Sequence, residues 1–202
     1  MPALDKEVRK LLTDLDSIPV SKALGRSMRL AHARGDEELA RWCRLEAQGY
    51  DAGNPAMGED ITVPVYRTVV GQHRDIYGRV FLAPPELPIV NEDRLRMGAA
   101  ELERLERDHK MVTVHNPTMV QLIKESLDVE VYSFTFSAAS ITSILASIRT
   151  ELSVRLAGLA PLPAPTRDDV MSRAPDDIIE IKPGLWGIHV NVRALWRRMR
   201  AS

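Results

Sequence analysis

Residues 21–50, SKALGRSMRLAHARGDEELARWCRLEAQGY, decide how the rest of the chain is read. Val20, Ala23, Leu24, Ser27, Met28, Leu30 and Ala31 recur at the three- and four-residue spacings of one apolar helix face, and Lys22, Arg26, Arg29 and Arg34 fill much of the remainder. Pro19 suits the first turn of that helix, where its missing N–H has no partner to lose. Gly35 suits the position just past the end, where a left-handed backbone is cheapest without a Cβ. Asp36 is placed to cap a second helix, with Glu37 and Glu38 at its positive end. Leu39, Trp42 and Cys43 mark the faces of this second helix, and Gly49 is its natural stop. So short a connection makes the two helices antiparallel neighbours.

Upstream, Leu4, Val8, Leu11, Leu12 and Leu15 form a helical stripe, which predicts a helix over residues 4–15 and an amino-terminal three-helix unit. Downstream, residues 51–60 have no period and read as a loop. Residues 65–73 read as a strand, bent or bulged at Gly71, with a second short strand over 78–82. The prolines of APPELP at 83–88 exclude regular structure there. Asn91 is placed to cap a helix that buries Leu95, Ala99, Leu102 and Leu105 and leaves Glu101, Arg104 and Asp108 in solvent. A strand over 111–115 follows, then a short helix with Asn116 as its cap and Pro117 at its first position. In VEVYSFTF at 129–136, Tyr132, Phe134 and Phe136 alternate onto one strand face. Ser137 then caps a long helix whose stripe runs Ile141, Ile144, Leu145, Ile148, Leu152, Leu156 and Leu159. The expected fold is α+β and helix-rich: the three-helix unit, a small β-sheet and a long closing helix over residues 1–159. A Pro-rich linker over 160–177 and a strand–turn–strand–helix tail over 178–202 complete it.

With 202 residues the chain is long enough for a real core, and 45% hydrophobic against 27% charged residues puts it in the globular class. A net charge of −1 supplies no global field toward nucleic acid or membrane. The single cysteine, Cys43, excludes an intrachain disulfide and any multi-cysteine metal site, and fits a reducing compartment. The opening MPALDKEVRKLL lacks the features of a signal peptide, and no long apolar run suggests a membrane span. The expectation is a cytoplasmic protein.

No catalytic constellation stands out. His32, His73, His109, His115 and His189 show no zinc-site spacing, so neither a metal nor a cofactor is expected. The densest polar cluster is Arg67, Gln72, His73, Arg74, Asp75 and Tyr77. It would bind phosphate, or set His73 as a general base beside Asp75. The plainer alternative makes these residues the outward side of a half-exposed strand and its turn. In the tail, Arg193, Arg197, Arg198 and Arg200 form a positive patch beside Trp196, with Trp186 on the preceding strand. Such a unit suits packing or protein contact, and secondarily nucleic acid.

The helical pair carries one further signal. Ser21, Ala23, Leu24, Ala31, the Gly35-Asp36-Glu37-Glu38-Leu39 step, Trp42, Glu46, Gly49 and Tyr50 resemble the signature of the AbiTii domain family, a bacterial module tied to abortive infection and antiphage defence. Residues 66–72, 98–105 and 140–156 are similar to its later elements. The resemblance carries no catalytic motif onto this chain, and it implies that the matched residues are structural. The function it implies is antiphage defence by a sensor, adaptor or toxic effector acting through protein contacts or a homo-oligomer. The alternative is a nucleic-acid-binding or nuclease-like effector using Arg67, His73, Arg74 and the tail arginines.

Overall fold

The computed structural model describes residues 2–81 and 91–159. The segment at 83–88, the linker over 160–177 and the tail with Trp186, Arg193, Trp196, Arg197 and Arg198 lie outside the described residues. Within them the fold is α+β and rich in helix. The elements are α1 (Pro2–Asp14), α2 (Val20–Arg34), α3 (Glu37–Gln48), a 3-10 turn (Val65–Arg67), β1 (Thr68–Arg74), β2 (Val80–Phe81), β3 (Glu92–Arg94), α4 (Ala99–Asp108), β4 (Met111–Val114), α5 (Pro117–Leu127), β5 (Ser133–Ser137) and α6 (Ala139–Leu159).

The junction of α2 and α3 forms as its residues require. Gly35 takes φ 72° and donates to the His32 carbonyl, while the Asp36 N–H reaches the Ala31 carbonyl. Asp36 Oδ1 then accepts from the Leu39 N–H at 2.9 Å and starts α3. Pro19 stands one position earlier than expected, just before α2, with ψ 143° and no side-chain cap. The missing acceptor comes from α4: Glu103 Oε2 accepts from Ser21 Oγ at 2.6 Å and Oε1 from the Ser21 N–H at 3.2 Å. A residue of the charged α4 surface thus serves the positive end of α2, a contact 82 positions apart that local pattern does not reveal.

Strand order is β2-β1-β5-β4, with β3 also on β1, and every pairing is antiparallel. β1 pairs β3 over Thr68, Val69 and Val70 and β5 from Gly71 to Arg74, one residue to one throughout. Gly71 is therefore no bulge. A Cβ there would lie 2.5 Å from the Thr135 carbonyl and 2.7 Å from Phe134 Cζ, so glycine serves close approach. One core joins α1, α2, α3, α4 and α6 to the inner residues of the sheet, Val69, Val112, Phe134 and Phe136. The predicted stripe of α6 is buried from Ile141 to Leu156, and Ser137 Oγ accepts from the Ala139 N–H at its start.

Further expectations fail. Residues 65–67, read as the start of a strand, form the 3-10 turn, and β1 begins only at Thr68. Asn91 does not cap a helix: Glu92–Arg94 is strand β3, and α4 starts only at Ala99 after Gly98. Glu92, Arg94, Leu95, Arg96 and Met97 have adequate helix propensity, but tertiary pairing overrides it. The Leu95 N–H donates to the Arg67 carbonyl and the Tyr50 N–H to the Arg96 carbonyl, while Met97 bridges Gly49. Tyr132 does not join Phe134 and Phe136 inside; it is 57% exposed, because β5 begins only at Ser133.

Candidate functional site

The polar cluster of residues 67–77 divides into an inward half and an outward half. Arg67 is 0% exposed. Its guanidinium donates through Nε and Nη2 to Glu46 Oε2 at 3.1 and 2.6 Å, and Nη2 also reaches the Glu46 carbonyl. Nη1 donates to the Leu95 and Met97 carbonyls at 3.2 and 2.7 Å. All five N–H groups of the fork are thereby engaged, leaving none for a phosphate. The other Glu46 oxygen, Oε1, accepts from both Tyr50 and Tyr66 hydroxyls at 2.5 Å, and the Arg67 guanidinium lies 4.9 Å from the Tyr50 ring centre. Neither the phosphate reading nor the outward-strand reading holds for Arg67. It is an internal tie that joins α3, the 3-10 turn and the extended segment before α4.

His73 also faces inward, buried with its ring centre 4.9 Å from that of Phe134. Asp75 is not turned toward it. The Asp75 carboxylate accepts from the Tyr77 and Arg79 N–H groups at 2.9 Å and from Arg79 Nε at 2.6 Å. Desolvation pushes this carboxyl up, but the Arg79 side-chain and backbone bonds and the Tyr77 N–H outweigh it and hold it below the usual range. The general-base pairing of His73 with Asp75 is therefore not formed. Among the described residues no three His, Cys, Asp or Glu side chains gather as a metal would need.

The outward half is a β-hairpin tip. Gly78 turns at φ 80°, its N–H donating to the Asp75 carbonyl, and Arg74 Nη1 donates to the Gly78 carbonyl at 2.8 Å. The Arg79 guanidinium lies 5.3 Å from the Tyr77 ring centre. The local polar groups thus serve to hold the tip, while Ile76 at 71% and Tyr77 at 77% exposure project from it. Beside the tip a groove of about 410 Å³ runs along α5, with Val120, Gln121 and Lys124 on one side and Glu130 and Val131 beyond. Of the residues singled out in the sequence, Arg74, Asp75 and Tyr77 come together here, and Arg67 and His73 do not. Sequence reasoning missed Glu46 as the partner of Arg67. The available signal was the Glu46-x-x-Gly49-Tyr50 exit, which puts an acid and a phenol four residues apart.

This internal cluster has a pH signature. Burial first, and then Glu46, push the Tyr50 and Tyr66 phenols well above the ordinary tyrosine range, and burial pushes the Cys43 thiol up to about 12. In the unfolded chain these groups ionise from about pH 8.5 to 10, so there the unfolded state binds fewer protons than the native one. Their contribution is complete below that range and is lost progressively as pH rises from it toward the raised native values. Urea midpoints should therefore fall steeply above about pH 9, and Tyr66→Phe should shallow the slope; an unchanged midpoint at pH 10.5 would contradict the burial of these groups.

The fold defined by these elements is a helix-rich α+β body with a small antiparallel sheet closed by a long helix. The family model described as AbiTii matches residues 6–158, and the chain belongs to the AbiTii family. The family's name points to abortive infection, a defence against phage. No curated protein and no solved structure matches the chain. Among the described residues, no helix is long and apolar enough to cross a membrane.

Proposed function

We propose that this AbiTii-family protein acts in antiphage defence through protein contacts and not through chemistry of its own, with the tip of the Arg74–Val80 hairpin and the adjoining side of α5 as a contact face. The observation that carries this reading is the pair Ile76 and Tyr77, both more than two-thirds exposed on a turn locked by Asp75 and Arg79. An aromatic on a pre-ordered turn presents contact area at low entropic cost. The partner is a second protein or another copy of this chain, in a cytoplasmic setting. The arginine and tryptophan residues of the tail (Trp186, Arg193, Trp196, Arg197, Arg198) are proposed as a second docking element, joined through the Pro-rich linker.

The nucleic-acid alternative draws less support. Arg67 and His73 point inward, and Arg74 and Arg79 are engaged within their own hairpin. Phage plaque counts on cells carrying the chain beside its native gene neighbours test the reading. An Ile76→Ser/Tyr77→Ser protein should lose protection by at least about tenfold while its melting temperature stays within a few degrees, as for surface changes generally. Full protection by this folded variant would remove the hairpin tip from the mechanism, and full protection by a chain ended at residue 160 would remove the tail.

A further inference from the structure

A second cavity lies on the opposite side of α5 from the hairpin groove. It is open to solvent on one side and has a volume of about 500 Å³, within the range of small-molecule sites. One wall is the loop carrying Met57, Ile61 and Val63, and the other is the first turns of α5 with Met119 and Leu122. The buried ring of Tyr50, held by Glu46, lines it as well. Methionines on both walls let the apolar surface adapt to an occupant's shape.

The charged groups all enter from one segment, while Thr62, Thr68, Asn116 and Thr118 add neutral polar groups around the rest. The segment of residues 92–96 is extended, so Glu92, Arg94 and Arg96 alternate onto one face, and all three line the cavity. Arg94 Nη1 is tethered to the Val63 carbonyl at 3.1 Å, while the Arg96 side chain makes no hydrogen bond or ion pair among the described residues. Asp93 is occupied: both carboxylate oxygens accept from Asn116 Nδ2 at 3.1 Å. Two arginines set against Glu92 and Asp93 leave the cavity near neutral. Such a balance accepts one anionic group on a free guanidinium and disfavours a polyphosphate.

We propose that this cavity binds a small organic monoanion with an aromatic or branched apolar body. The body lies between the Met57, Ile61, Val63 wall and the Met119, Leu122 wall, and the carboxylate or sulfonate pairs with Arg96 beside Arg94. The site is separate from the contact face and does not depend on it. Because Thr118, Met119 and Leu122 face this cavity and Val120, Gln121 and Lys124 the hairpin groove, α5 is a wall shared by both.

Fluorescence titration of the full-length protein with anilinonaphthalene sulfonate, an aromatic monoanion, tests the proposal. Saturable one-site binding is expected. Arg96→Gln and Leu122→Glu should each weaken it by about tenfold or more, as loss of a charge-assisted contact or insertion of a like charge does. Both side chains are exposed, so the variants should melt with the parent protein. Lys124→Gln, on the other side of α5, should bind like the parent, and tripolyphosphate should not displace the probe. The proposal is overturned by absence of saturable binding, by parent-like affinity in both folded variants, or by displacement with tripolyphosphate.

Discussion

Arg67→Met should lower the unfolding free energy by about 3–5 kcal/mol, the cost of stripping the partner from a buried charge. Glu46 and Arg67 are both fully buried. Without the guanidinium, Glu46 keeps only the Tyr50 and Tyr66 hydroxyls, and the Leu95 and Met97 carbonyls lose the donor that Nη1 supplied. Each unpaired buried group carries its own desolvation cost, of about 1–3 kcal/mol. Methionine fills comparable volume, so the loss isolates the polar term from a cavity. A Glu46→Met/Arg67→Met double variant should recover part of the loss, since no uncompensated charge remains. It should not recover all, because two phenols and two carbonyls stay without partners. Urea unfolding of the four proteins measures the cycle. A single-variant loss under about 1 kcal/mol would mean that the pair is not desolvated as its geometry requires.

Gly49→Ala should cost about 3 kcal/mol or more, for two reasons that act together. Gly49 sits at φ 97°, ψ 174°, a region open essentially to glycine alone. A Cβ there would also stand 2.5 Å from the Arg96 carbonyl, 3.0 Å from the Gly98 nitrogen and 3.2 Å from the Met97 carbonyl carbon. All three are backbone atoms, so no side chain can swing aside. The backbone must shift, and it is the same backbone that Arg67 ties through Leu95 and Met97. The Gly49–Met97 bridge and the Tyr50 to Arg96 hydrogen bond would loosen with it. Thermal unfolding should show a melting temperature lower by about 6 °C or more. A shift of only a degree or two would show that the segment before α4 yields easily.

These two positions mark where local pattern stops being informative. The helices were legible because their apolar residues repeat at the helical period: the stripe of α6 and the Gly35-Asp36 junction both stand where spacing and capping chemistry put them. Asn116 and Pro117 likewise open α5, with Asn116 Oδ1 accepting from the Met119 N–H. Asn91 misled because an N-cap residue before a run of good helix formers looks the same whether or not another strand is waiting to pair with it. Arg67 misled for the opposite reason, since an arginine in a polar run is exposed unless a distant acid meets it, and Glu46 lies 21 positions away.

The sequence by itself determined the helical frame, the end of α2 at Gly35 and the family, because period, capping and a local signature all act within a few residues. Tertiary structure alone decided that residues 92–97 extend, that Glu103 serves the start of α2, and that residues 67–77 divide into an internal tie and an exposed tip. Those outcomes depend on which backbone groups and charges from remote segments are left to be satisfied when the core closes, and burial makes each unsatisfied one too costly to leave.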